Sequence, residues 1–383
     1  MYRLNSDQQA IVDRAKEIAE RDIKPHADEV DTEARFPREA IDALGKSGFL
    51  GLTIAPEFGG MGQGLRVAAA VLDEIGQRCA STGMIYLMHL AGVSCYNAVP
   101  EKTGAYLRAA AKGEHLSTLA WSERGSRSHF WAPVSEASRN DGTYSLTADK
   151  SWVTSAGHAT GYVTSTKSPN AVGPMDTMLF VVQNDDQGLS VAGPWSGLGM
   201  RGNSSSPMRL EQVSVGAERA LTEAGKGMDM MLGVVLPWFQ LGSAAICIGI
   251  SEAAVQATQG HLGGSTFQHL GTTLGDLPTL RAALAQMRIE TDKARAHIVS
   301  ALDAVESSAP TAMLLVLESK AVAAETALKV TDSAMRSCGG AAFSRQLGVE
   351  RNFRDARAPA VMAPTSDQLY DFIGKALLGM ELF

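Results

Sequence analysis

Paired cysteines are missing. The four present, Cys79, Cys95, Cys247 and Cys338, lie far apart and none belongs to a CxxC pair, so neither a zinc site nor a disulfide framework is expected and a reducing, cytoplasmic setting fits best. No HExxH occurs, and His261 and His269 have no histidine four residues away, which argues against a metal centre. No run of lysine and arginine relieves the acidic balance of 34 basic against 41 acidic residues; nucleic acid and anionic membrane are therefore poor partners. The opening segment is amphipathic and of mixed charge, without the apolar block of a signal peptide. The longest apolar stretch, Met228 to Ile250, is interrupted by Asp229, Pro237, Gln240 and Ser243, so no membrane span is expected. Glycine follows no collagen period, and neither solenoid repeats nor low-complexity tracts occur.

What remains is a globular composition, with 45% hydrophobic and 20% charged residues in 383, enough for two or three domains. Residues 1–116 read as helical. Ser6 with Gln9 resembles a capping box, Ile11, Ala15, Ile18 and Ala19 recur at helical spacing, and Pro25 stops the pattern. A second helix is expected from Pro37 to Lys46, tight turns over the glycine-rich segment Gly48 to Gly62, and further helices from Leu65 to Lys112. Residues 117–225 change character. Tyr144, Leu146 and Ala148 alternate with polar residues, and Tyr162–Thr166, Met178–Val182 and Met208–Val213 read as strands between turn clusters. A small antiparallel sheet or barrel is expected there, because no strand–helix alternation supports a parallel dinucleotide-binding sheet. Residues 226–383 return to helix, with Leu277–Ala304 and Ala312–Met335 long enough for a four-helix-type bundle. The fold class is α+β, in the order helical, β, helical.

Seven short segments occur in an order that resembles the acyl-CoA dehydrogenase family across nearly the whole chain. They are Phe36-Pro-Arg-Glu39 with Pro56-Glu-Phe-Gly-Gly-Met-Gly62, Trp121-Ser-Glu-Arg-Gly125, Lys150-Ser-Trp-Val-Thr-Ser155, Gly199-Met-Arg-Gly-Asn-Ser204, Gly225-Lys-Gly-Met228, Cys338-Gly-Gly340 and Arg351-Asn-Phe-Arg-Asp-Ala-Arg357. The resemblance implies an FAD flavoprotein that oxidises an acyl thioester between Cα and Cβ, a carboxylate taking the α proton while the flavin takes the β hydride. It also implies an oligomer, usually a tetramer. Carried over by position, Trp121 and Ser122 belong to the flavin loop and Ser128 approaches flavin or pantetheine. Trp152 and Thr154 line the flavin ring, Gly339 and Gly340 admit the diphosphate of a neighbouring subunit, and Thr365 contacts flavin. Ignoring the resemblance, each has a plainer reading: Trp152 as core, the hydroxyls as ordinary strand residues, the glycine pair as a helix-ending turn. Arg351, Arg354 and Asp355 read as structural ion pairs.

The pattern breaks at the base. Where the family has a Glu-Gly-Thr stretch, the ungapped position of the glutamate holds Ala363 and that of the glycine Pro364. The alternative location, on the helix opening the C-terminal domain, holds Phe239 and Gln240, neither of them a base. The arginine that reaches a neighbour's FAD is absent from Gly264-Ser-Thr-Phe-Gln-His-Leu-Gly271, and Arg336, in place of a glutamine, could restore that charge beside the diphosphate. Four side chains remain to be weighed as a substitute base: Glu123, structural in the family's loop; His129, beside Ser128 and titrating near neutrality; Asp367, one turn past Ala363; and Tyr370. His89, in an apolar helix, reads as a hydrogen-bonded core histidine.

Three functions follow. One is an FAD-dependent oxidoreductase acting on an acyl-CoA or acyl-carrier-protein thioester that brings its own acidity or leaving group. Another is a catalytically silent subunit paired with an intact homologue. The third is a flavin-dependent monooxygenase or lyase on the same fold. The assembly expected is a homotetramer or homodimer for the first and a heteromer for the second.

Overall fold

The computed structural model describes residues 1–382. Six helices open the chain: α1 (Ser6–Ile18), α2 (Ala27–Glu33), α3 (Arg38–Lys46), α4 (Leu65–Gly76), α5 (Ala80–Asn97) and α6 (Pro100–Ala111). The cap of α1 lies one residue earlier than the sequence suggests. Asn5 accepts from the Gln8 N–H (2.9 Å) while the Gln8 side chain accepts from the Asn5 N–H (3.1 Å), a reciprocal pair that satisfies two orphan donors. Regular α-helix stops at Ile18, ahead of Pro25; a π turn, Ala19–Ile23, and a 3₁₀ turn, Lys24–His26, carry the chain into α2.

The middle of the chain forms two sheets. Strand β1 (Ser117–Ala120) neighbours β4 (Gly161–Lys167), which neighbours β5 (Thr177–Gln183). The second sheet has the order β2 (Ser138–Asn140), β3 (Thr143–Val153), β7 (Ser206–Gly216), β6 (Leu189–Val191). Along β3 the side chains Tyr144, Leu146 and Ala148 alternate into the core as the period-2 pattern requires. Among the described residues the strand ladders are antiparallel except β1 with β4, which run parallel from Ser117↔Gly161 to Ala120↔Thr164. That single parallel pair departs from the expected antiparallel sheet.

Helices return as α7 (Gly227–Met230), a π turn at Met231–Val235, and α8 (Leu236–Gly264). A small hairpin, β8 (Thr266–Phe267) with β9 (Thr272–Thr273), precedes α9 (Pro278–Glu306) and α10 (Ala312–Cys338). The chain finishes with α11 (Gly340–Phe343), α12 (Val349–Asp355), α13 (Ala358–Val361) and α14 (Ser366–Leu377). The run Gly227–Gly264 is long and apolar enough to cross a membrane by composition, yet 67% of its most apolar window is buried in the fold. One core therefore joins both helical regions: Leu72, Ile75 and Leu87 pack with Leu241, Ile246, Ile298 and Leu302. Helices α4 and α8 cross so closely that a Cβ on Gly249 would stand 2.5 Å from the Asp73 carbonyl oxygen, so only glycine fits there. A buried polar network ties the same elements. Arg295 donates to Asp73 (3.2 Å) and Glu252 (3.1 Å), and the Tyr2 hydroxyl donates to Asp73 (2.9 Å).

The expected ion pairs tie α12 to α2. Arg354 grips Asp31 with two bonds of 2.9 and 2.6 Å, and Arg351 pairs with Asp28. Asp355 plays a different part: fully buried, its carboxylate accepts the Met200 N–H at 2.6 Å, fixing the β7 approach to α12. Burial pushes its carboxyl up to about 6.

Candidate active site

The sheets, α5, the start of α8 and the α13–α14 turn enclose a mainly apolar cavity of about 510 Å³. Its walls carry Met84 and Met88 from α5, Met231, Val235 and Phe239 from the π turn and α8, and Trp152 and Trp195 from the β region. Size and lining suit a planar ligand with an apolar tail. Trp121, Ser122, Ser128, Trp152 and Thr154 all reach this cavity, and so does Ala363. Trp152 is 60% exposed despite lying in β3, because its indole faces the cavity and meets Trp195 edge-on at 5.5 Å. It is not a core residue.

The other residues singled out from sequence stand elsewhere. Arg336, Gly339 and Gly340 lie exposed at the end of α10, where Gly339 adopts φ +57° and breaks the helix. Thr365 caps α14, its hydroxyl accepting from the Gln368 N–H at 3.3 Å. Asp367 is exposed in the first turn of α14, and His129 is exposed and stacked on Trp131 at 4.8 Å. Neither lines the cavity. His89 is core: its Nε2 meets the Leu50 carbonyl at 2.7 Å, its Nδ1 accepts the Ser117 N–H at 3.1 Å, and burial pushes it down to about 4.

Among the described residues the cavity wall holds one carboxylate, Glu123, and it is fully engaged. Its Oε2 accepts the N–H groups of Val134 (2.8 Å) and Ser135 (2.9 Å), and its Oε1 accepts from Lys150 Nζ (2.6 Å) and the Ser135 hydroxyl. Burial raises the Glu123 carboxyl, but the Lys150 ammonium and the Ser135 donors outweigh it and hold the group below the ordinary range. Four donors on two oxygens mark an ionised carboxylate. Lys150, buried and pulled down by desolvation, is partly compensated by this pair and also donates to the Ser165 carbonyl. The pair fixes the cavity loop: Ser151 donates to the Ser122 carbonyl at 2.8 Å across the same juncture. The location of the alternative base is spent too, since Phe239 faces the cavity while Gln240 is buried away from it with its amide unpartnered.

Three features escaped the sequence reading. Trp195 and the pair Asn203 and Ser205 line the cavity; the Gly199–Ser204 motif flagged the latter neighbourhood without giving roles. Arg124 and Arg127 stand at the rim with no ion pair among the described residues. Lys320, on α10, lies fully buried behind the Ala363 turn, donating to the carbonyls of Met362 (2.9 Å) and Pro364 (2.7 Å). Its signal was faint: it sits four residues after Val316 and three before Ala323, on the buried stripe of the helix.

Known proteins resemble this arrangement from end to end. The sequence matches the acyl-CoA dehydrogenase N-terminal domain over residues 5–114, the middle domain over 118–213 and the C-terminal domain over 225–378. It is 28% identical to a probable acyl-CoA dehydrogenase of Bacillus subtilis, covering 98% of this chain and 99% of that one. Butyryl-CoA dehydrogenase from Megasphaera elsdenii superposes with a TM-score of 0.93 at 22% identity, covering 98% of this chain and 99% of the other. FMN-bound TdsC from Paenibacillus sp. A11-2 superposes at 0.87 and 21% identity, with 97% of each chain covered. With all three domains matched in order around a cavity built from the family's loop and strand, the chain belongs to the acyl-CoA dehydrogenase family of flavin-dependent oxidoreductases.

Proposed function

We propose that the protein binds FAD and oxidises an acyl thioester, carried by CoA or a carrier protein, without a carboxylate base of its own. The observation that carries this reading is the cavity wall, where Ala363 stands near the chemistry and the one carboxylate, Glu123, is saturated. The donors left over suit a flavin and a thioester: Trp121 Nε1 is buried without a partner, Thr154 Oγ1 meets only Ser205 Oγ at 3.0 Å, and the Ala363 N–H is unspent. When bound, the flavin supplies the two-electron acceptor for the Cα–Cβ bond. Trp152 and Trp195 give it an aromatic wall, Ser122 and Thr154 supply hydroxyls, and the methionines and Phe239 exclude water from the acyl chain. The Ala363 N–H holds the thioester carbonyl and stabilises charge as it develops there. No group on the wall is free to take the α proton, a loss that typically costs 10²–10⁴-fold. The substrate accordingly carries its own acidity or leaving group.

Arg336, Gly339 and Gly340, exposed together where α10 gives way to α11, support an oligomer in which they meet a neighbouring copy's cofactor. A second reading, a silent subunit paired with an intact homologue, draws on the same missing base.

Anaerobic titration of the purified protein with butyryl-CoA, followed by the flavin spectrum, tests the assignment. The wild type is expected to bind flavin and leave it oxidised with this unactivated thioester, while Ala363→Glu bleaches it. Rapid bleaching by the wild type refutes the missing-base argument. A colourless protein that acquires flavin only with a co-expressed homologue supports the silent subunit.

A further inference from the structure

The turn after α13 has few backbone donors. Met362 N–H is spent on the Ala358 carbonyl (3.0 Å), Pro364 has none, and Thr365 N–H donates to Gln368 Oε1 (3.1 Å). Ala363 alone keeps an N–H without a partner among the described residues, and both Ala363 and Pro364 line the cavity. The carbonyls of the same turn point the other way, onto Lys320 Nζ, which takes Met362 O at 2.9 Å and Pro364 O at 2.7 Å. Buried backbone groups are nearly always paired, so the turn divides its polar groups cleanly between a lysine behind it and a cavity in front.

The Met362 carbonyl and the Ala363 N–H belong to one peptide group. A charge-assisted bond to that oxygen draws electron density through the amide and makes its N–H a stronger donor, as linked hydrogen bonds polarise one another in a low-dielectric interior. A neutral side-chain amide, with two N–H donors, could serve two carbonyls far more cheaply than a buried ammonium. The chain nevertheless keeps an ammonium here with no carboxylate paired to it among the described residues: the Phe239 ring centroid lies 6.0 Å from Nζ, and the titratable group acting on it is the Cys247 thiol of α8, itself held high by burial.

Building on the thioester reading above, we infer that Lys320 is a positioning residue that fixes the Ala363 turn and polarises its N–H toward the substrate carbonyl. It does not touch substrate, since it does not line the cavity. Burial brings the ammonium down to about 7, so the strength of the clamp is set by a group poised near neutrality.

Infrared difference spectroscopy of the flavin-loaded protein with butyryl-CoA, unlabelled and labelled with ¹³C at the thioester carbonyl, reads the polarisation directly. The wild type is expected to shift the carbonyl stretch to lower frequency on binding. Lys320→Met should lose most of that shift while binding butyryl-CoA within about threefold of wild type. Lys320→Gln, which keeps a shorter neutral donor, should lie between. Turnover in an Ala363→Glu background should then show kcat falling by roughly 10–100-fold with KM little changed, a transition-state rather than a binding effect. A full wild-type shift in Lys320→Met overturns the inference and leaves the thioester reading standing; should that variant fail to fold, a full shift in Lys320→Gln does the same. A wild type that binds the thioester without moving the band, or does not bind it, overturns both.

Discussion

Removing the Lys150 ammonium should loosen the cavity loop more than any other single change there. Lys150 is 1% exposed and Glu123 2%, so water screens neither, and their 2.6 Å contact is a buried pair. In Lys150→Met the Glu123 carboxylate keeps its bonds from Val134 and Ser135 but stands charged without a counterion, and the Ser165 carbonyl loses its donor. Breaking one partner of such a pair typically costs about 3–5 kcal/mol. An unfolding entropy of about 2.1 cal/mol/K per residue over 383 residues amounts to roughly 0.8 kcal/mol/K, so about 4 kcal/mol lowers Tm by roughly 5 °C when the chain unfolds as one unit. Because the loop carries Ser122 and Ser128, flavin retention on gel filtration should fall with it. The two partners should be strongly coupled: Glu123→Gln with Lys150→Met should cost less than the sum of the singles by about 2–3 kcal/mol. The Tm loss should persist at high salt, since buried pairs are screened little. A Tm within 1 °C of wild type, flavin retained, refutes the claim that this pair holds the loop.

Two further outcomes are expected. Asp355→Asn should change the pH dependence of stability: with the native carboxyl near 6 against about 3.9 unfolded, the aspartate contributes stability below about pH 4 that is lost as pH rises through about 6. Relative to wild type the variant should therefore gain about 2 kcal/mol between pH 4 and pH 7, and parallel Tm profiles across that range would contradict it. Gly199→Ala places a Cβ 2.4 Å from the Arg354 carbonyl oxygen, a backbone that cannot swing aside. It should cost about 1–3 kcal/mol and weaken flavin retention through the adjacent Met200, and an unaltered thermal melt would show that the interface yields.

Periodicity carries most of the architecture. The alternation of Tyr144, Leu146 and Ala148 identified β3 because one of its faces is buried, and α9 and α10 were long enough to be seen from their repeats. What stayed hidden was non-local. The parallel pairing of β1 with β4 depends on Thr160, whose N–H donates to the Leu116 carbonyl at 2.9 Å and whose hydroxyl accepts the Leu116 N–H at 2.9 Å, a contact across 44 residues that no local pattern encodes. The α1 cap slipped by one because Asn5 and Ser6 both suit an N-cap, and only the reach of Gln8 decides between them.

The site divides along the same line. Trp121, Ser122, Ser128, Trp152 and Thr154 were legible because short motifs fix them on two neighbouring segments, the β1 loop and β3, which the Glu123–Lys150 pair holds together. Arg336, Gly339 and Gly340 came from the same motif order but lie exposed around the end of α10, away from the cavity. Lys320 belongs to no motif and looked like one more charge on an alanine-rich helix. Its meaning depends on which carbonyls fold back onto it, and those arrive from residues 42 and 44 positions later. On the proposed reading, the same fact explains how a chain with alanine at 363 keeps a carbonyl site there. The side chain at 363 and the N–H at 363 answer to different parts of the protein, the first to the cavity alone and the second to a lysine behind the turn, so replacing the one leaves the other in place.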